Sequence, residues 1–148
     1  MNSPATETEN PATESPEVMF SLLGAAHALE DRLESGLGKV GLSMSKLGVL
    51  TQLVEAGRPL PLSELAARLS CVRSNMTQLV DRLETDGLVR RVDDPEDRRS
   101  VLAAVTTLGE ERQIAGAAEL ARVRDEFTAS LAPADRTTLS RALAALSR

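Results

Sequence analysis

Between Arg73 and Arg99 the chain concentrates side chains suited to recognition chemistry. Arg73, Ser74, Asn75, Thr77, Gln78, Asp81 and Arg82 share one side of a predicted helix, and Arg98 and Arg99 follow in a charged loop. Guanidiniums and amides can hydrogen-bond base edges in pairs, and hydroxyls and arginines can hold phosphates. The other side of the helix carries Met76, Leu79, Val80 and Leu83 at i, i+3, i+4 and i+7, the spacing of a buried stripe. Gly87 suits a left-handed helix stop. Two β-prone runs, Leu88–Val92 and Val101–Val105, flank the acidic and basic loop. A reading helix followed by a hairpin with arginines at its tip is the outline of a winged DNA-binding module.

Other elements must position that helix. Ser63 is expected to cap a short helix over residues 64–69. Ser70, Cys71 and Val72 then form a tight turn into the reading helix, which completes a helix-turn-helix. Upstream, a helix over 45–56 uses Leu47, Leu50, Leu53 and Val54 as its apolar face and stops at Gly57. Arg58-Pro59-Leu60-Pro61 reads as a rigid connector. The first helix is expected over about 16–37, started by Ser15-Pro16-Glu17. Downstream, Thr106 or Thr107 begins a long helix, Thr107 and Glu110 matching a capping box, and Pro133 begins a last one with Leu139, Ala142, Leu143 and Leu146 on one stripe. The module, about 43–106, does not need apolar helices at both chain ends (about 16–37 and 107–148). Packing those helices across a two-fold axis would use them and set two reading helices one DNA turn (~34–36 Å) apart.

Residues 1–15 are rich in Ser, Thr, Pro, Glu and Asn and read as a disordered tail, leaving 16–148 as a single domain. The net charge of −5 runs against phosphate binding. Four glutamates lie in the first 17 residues, however, so the remainder carries 17 basic and 18 acidic residues, or −1. With a screening length of about 8 Å, local placement of arginines outweighs that total. Two phenylalanines and no Tyr or Trp argue against the stacking platforms of single-strand binders. A lone cysteine excludes an intrachain disulfide. No apolar run is long enough to span a membrane and no secretory leader is visible, so a cytoplasmic protein is expected. No phosphate loop, nucleophile elbow or supported carboxylate pair stands out, and His27 has no partner at ligand spacing. Neither an enzyme, a metal site nor a cofactor is expected.

Over residues 18–147 the chain resembles the MarR family of winged-helix transcription regulators. The carrying segments are Leu62-Ser63-Glu64-Leu65-Ala66, Arg73 to Thr77, Leu79 to Glu84, Asp86-Gly87-Leu88-Val89, Asp94 to Ser100 and Thr106 to Gly109, in order and at matching spacings. The resemblance implies a mainly α fold with a small β-hairpin wing, dimerised through its N- and C-terminal helices. It implies a regulator of a pseudo-palindromic double-stranded operator, a repressor released by a small aromatic or phenolic effector. By position, Arg73, Ser74, Asn75, Thr77, Gln78 and Arg82 would face the major groove. Arg98 and Arg99 would lie on the wing, Asp97 orienting Arg99 through a salt bridge. His27, Phe20 and Met44 are candidates for an effector pocket. The chain departs from the family pattern at Ser70 and Val72, where a turn glycine and a capping serine are usual, and at Ala132, which replaces the cap before the last helix.

Two alternatives stand beside this reading. Cys71 precedes a helix start, where a thiolate is favoured, so the protein would be an oxidant sensor switching through Cys71. A buried cysteine is equally a small hydrophobe. The other alternative is a winged-helix module that binds a protein partner and no DNA.

Overall fold

The structure is a computed structural model that describes residues 11–147, with side chains described from residue 16. The elements run α1 (Pro11–Gly38), α2 (Met44–Ala56), β1 (Leu60–Pro61), α3 (Leu62–Arg68), α4 (Arg73–Thr85), β2 (Val89–Asp93), β3 (Val101–Val105), α5 (Thr107–Ala129) and α6 (Pro133–Leu146). The mainly helical fold with a small antiparallel sheet is the expected one. The chain divides into two compact units, residues 1–32 and 33–148.

In the first unit, α1 begins at Pro11 rather than at Ser15-Pro16. Pro16, expected in the first turn, lies inside the helix. Residues 11–15 of the expected tail are therefore helical, and residues 1–10 lie outside the described residues. Val18, Met19, Phe20, Leu22 and Leu23 are exposed in the single chain.

The second unit has one core. Leu50, Leu53, Leu65, Met76, Val80 and Leu83 are all buried within it, drawn from α2, α3 and α4. Val54, expected on the inner face of α2, is exposed instead, and Val49 is buried. Ser43 caps α2 by accepting the Lys46 N–H, and Gly57 ends it at φ 62°. Gly116 lets α5 cross close to the core, since a Cβ there would lie 2.7 Å from Leu42 and 2.9 Å from Leu47.

Three local expectations need correction. The expected hairpin is a three-stranded sheet of order β1-β3-β2, with Leu60 opposite Ala103 and Pro61 opposite Leu102. Leu60–Pro61 is thus an edge strand and not a bare connector, and an edge is where proline can sit without losing a ladder bond. Helix α3 starts at Leu62 with Pro61 as its cap residue and no side-chain bond, so Ser63 lies inside the helix. Helix α5 is capped by Thr106, whose hydroxyl accepts the Gly109 N–H. The Thr107–Glu110 box does not form, because Thr107 is already helical. Ala132 precedes α6 without a side-chain cap, as expected.

Candidate nucleic-acid interface

Helix α4 exposes Arg73, Ser74, Asn75, Thr77, Gln78, Asp81 and Arg82 while Met76, Val80 and Leu83 are buried, so the two faces divide as the periodicity predicts. The Thr77 hydroxyl donates to the Arg73 carbonyl at 3.0 Å.

The two ends of α4 are made differently. At the C-terminal end the Leu88 N–H reaches the Leu83 carbonyl at 2.9 Å and the Gly87 N–H reaches Glu84 at 3.0 Å. That is a Schellman turn, and Gly87 holds its left-handed residue at φ 75°. Thr106 secures it, donating to the Gly87 carbonyl at 2.7 Å. The turn before α4 has the same pattern, Cys71 N–H to Ala66 at 2.9 Å and Ser70 N–H to Ala67 at 3.3 Å. Here serine occupies the left-handed position at φ 50°. Val72 precedes α4 with no side-chain cap, so the helix start is satisfied without the usual capping serine.

The wing is β2, β3 and the loop between them. Val89 to Asp93 pair in register with Val105 to Val101. Two side-chain turns shape the loop: Asp94 accepts the Glu96 N–H at 2.9 Å, and Asp97 accepts the Arg99 N–H at 3.0 Å. Among the described residues, Asp97 therefore holds Arg99 by its main chain and not through the expected salt bridge. The Arg98 and Arg99 side chains are exposed at the tip.

Between α4 and the wing, Arg73, Thr77, Arg99, Ser63 and Ser100 line one groove of about 280 Å³. On the opposite flank, Asn75, Gln78 and Arg82 line a second of about 300 Å³ with Ser43, Ser45 and Lys46. The reading face is thus bordered on both sides by polar and cationic grooves. Ser63 and Ser100 were not singled out as site residues. Ser63 resembled a cap, and a wing serine has no distinctive spacing.

The remaining candidates fall in both units. Met44 and Cys71 share a groove of about 520 Å³ with Gly48, Leu69, Asn75 and Leu79. Cys71 is half-buried against the core, and its thiol donates to the Val72 carbonyl at 3.5 Å. Phe20 and His27 belong to the first unit, where both are exposed.

Sequence reading also missed Arg91. Its guanidinium bridges Asp81 and Glu84 of α4, the latter at 3.0 Å, and its backbone N–H bonds Glu84 at 2.9 Å. Burial works against its charge, but the bonds to Asp81 and Glu84 outweigh it and hold the Arg91 pKa above the ordinary value. Lys46 pairs with Asp86 at 2.7 Å. In α3 the Arg68 hydrogen bond, aided by Arg58, holds the Glu64 carboxyl below its usual range despite partial burial.

A MarR family model matches residues 42–101, from just before α2 to the first residue of β3. The chain is 31% identical to Sco3205 of Streptomyces coelicolor, a MarR family transcriptional regulator solved in complex with DNA. That match covers 99% of this chain and 91% of Sco3205, with a TM-score of 0.76. The chain belongs to the MarR family. A second family member, the regulator AbsC of Streptomyces coelicolor, is 30% identical over 99% of this chain and 96% of its own, with a TM-score of 0.74. The HTH-type transcriptional regulator PrsX of Escherichia coli is 37% identical over 93 residues, 62% of this chain and 56% of PrsX. The chain spans about half the length of the curated relatives it matches. No helix among the described residues is long and apolar enough to cross a membrane.

Proposed function

We propose that this MarR-family protein is a cytoplasmic transcriptional regulator that binds a pseudo-palindromic double-stranded DNA site as a homodimer. One observation carries the reading: Arg73, Thr77 and Arg99 come together in a single groove although α4 and the wing tip are separated in the chain. In this reading Arg73, Ser74, Asn75, Thr77, Gln78 and Arg82 meet the major groove. Arg99, with Arg98, enters the neighbouring minor groove, whose negative potential attracts a guanidinium. The loop bond from Asp97 sets where Arg99 leaves the backbone. The DNA complex of Sco3205 supports the same use of this fold. Exposed apolar residues on α1 and α6, such as Val18, Phe20 and Leu146, supply surface for a two-fold interface.

Regulation by repression and effector release extends the reading. The groove beside Met44 has the volume of a small-molecule site, and a small aromatic or phenolic molecule there would touch the α3–α4 turn. Such a ligand acts by favouring a reader spacing that mismatches one DNA turn. The oxidant-sensor alternative is disfavoured by Cys71 packing at the end of a Schellman turn, where a thiol is a small apolar filler.

The test is binding to duplexes selected by the protein from a random pool, measured across salt. Affinity should fall steeply as salt rises, because phosphate contacts release counterions. Arg99→Ala should lower affinity, and Gln78→Ala should relax base preference by roughly 1–3 kcal/mol if its amide makes a paired base contact. Failure to select any duplex, or affinity indifferent to salt, would leave the protein-interaction alternative as the better reading.

A further inference from the structure

Asp81 and Glu84 stand in the wrong place for a DNA-reading helix. Asp81 follows Thr77 by four residues and Gln78 by three, so it shares their face one turn on. Glu84 lies a further turn along, on the side of Arg73 and Thr77. Two free carboxylates there would repel the phosphates that Arg73 and Arg99 are proposed to attract. Neither is free. Arg91, projecting from β2, bonds both with one guanidinium and keeps only 27% of its side chain exposed. The planar fork suits two acceptors at once, which a lysine could not match. Asp86, the next acid along the chain, is paired with Lys46.

We infer that Arg91 is a charge-masking residue for the reading helix: it neutralises Asp81 and Glu84 so that α4 can approach DNA, without itself contacting DNA. The inference rests on the DNA-reading proposal. It differs from a purely stabilising role in one respect. Deleting the cation should matter only while the two acids remain.

The experiment uses the full chain, a duplex selected by the wild type from a random pool, and fluorescence anisotropy at low salt, with thermal melts of each variant. Arg91→Gln should weaken binding about tenfold through like-charge repulsion, and the defect should shrink as salt screens it. Adding Asp81→Asn and Glu84→Gln to Arg91→Gln should restore affinity to within about threefold of wild type. Asp81→Asn/Glu84→Gln with Arg91 retained should bind at least as tightly as wild type. A triple variant as weak as Arg91→Gln would mean Arg91 contacts DNA or positions α4 by geometry, and would overturn the inference. So would an unaffected Arg91→Gln, or a carboxamide pair weaker than wild type. Should Arg91→Gln alone fail to fold, the triple and the pair decide. A wild type that selects no duplex takes down the DNA-reading proposal and this inference together, whereas a binding wild type with an unaffected Arg91→Gln takes down the inference alone.

Discussion

At its C-terminal end α4 stops on Gly87, whose left-handed turn is fastened by Thr106 and overlaid by the first turn of α5. At its N-terminal end the equivalent turn puts Ser70 in the left-handed position and leaves Val72 without a capping oxygen. The same hydrogen-bond pattern closes both turns, so the difference lies in residue choice. Almost any change at the far end should cost stability, whereas restoring glycine at the near end should add it. The residues proposed to read DNA, Arg73 to Gln78, begin at the less optimised end.

The largest effect is expected where α5 meets the far turn. A Cβ on Gly109 would lie 2.0 Å from the Leu88 carbonyl oxygen and 2.8 Å from Val105. Backbone cannot yield as a flexible side chain would, so Gly109→Ala must lift the start of α5 from the sheet. We expect a loss of about 3 kcal/mol in urea unfolding. A midpoint equal to wild type would mean that the α5 contact does not secure the far end.

Thr106 should matter less but more specifically. One hydroxyl caps α5 through Gly109 at 3.0 Å and donates to Gly87 at 2.7 Å. Thr106→Ala removes both bonds and should cost about 1–2 kcal/mol, while Thr106→Ser keeps both and should stay within about 0.5 kcal/mol of wild type. If serine fails as badly as alanine, the methyl and its packing are responsible rather than the bonds.

How far the sequence revealed this contrast depends on the range of each interaction. The faces of α4 and the stops at Gly57 and Gly87 were legible because helical periodicity and glycine placement are local signals. The missing cap at Val72 was legible for the same reason. Strand β1 was not: two residues, one of them proline, carry no alternation, and their partners Ala103 and Leu102 lie some forty positions away. Arg91 was hidden in the same way, since in sequence it is one of two adjacent arginines and only the packing of β2 beside α4 brings it to Asp81 and Glu84. The cap of α3 was misplaced by two residues, and of the two threonines that fit the start of α5 only Thr106 caps it, because several hydroxyl or proline positions fit the local pattern and tertiary packing chose among them. For the wing, position implied an Asp97–Arg99 ion pair, whereas the carboxylate takes the nearer main-chain N–H.

The smallest expected effect tests the comparison most directly, by exchanging the two left-handed residues. A Cβ on Gly87 would meet only Leu108, at 3.9 Å, an ordinary contact. Gly87→Ser therefore has room, and its cost reports the backbone conformation alone. Ser70 already bears that cost in the native chain, so Ser70→Gly should recover it, less what glycine loses in unfolded-state entropy. We expect opposite shifts of about 1 kcal/mol in unfolding free energy, a loss at position 87 and a gain at position 70. Loss in both variants would require the Ser70 side chain to contribute something that offsets its strained backbone. The near end of α4 would then be as fully specified as the far end, by means other than a glycine and a cap.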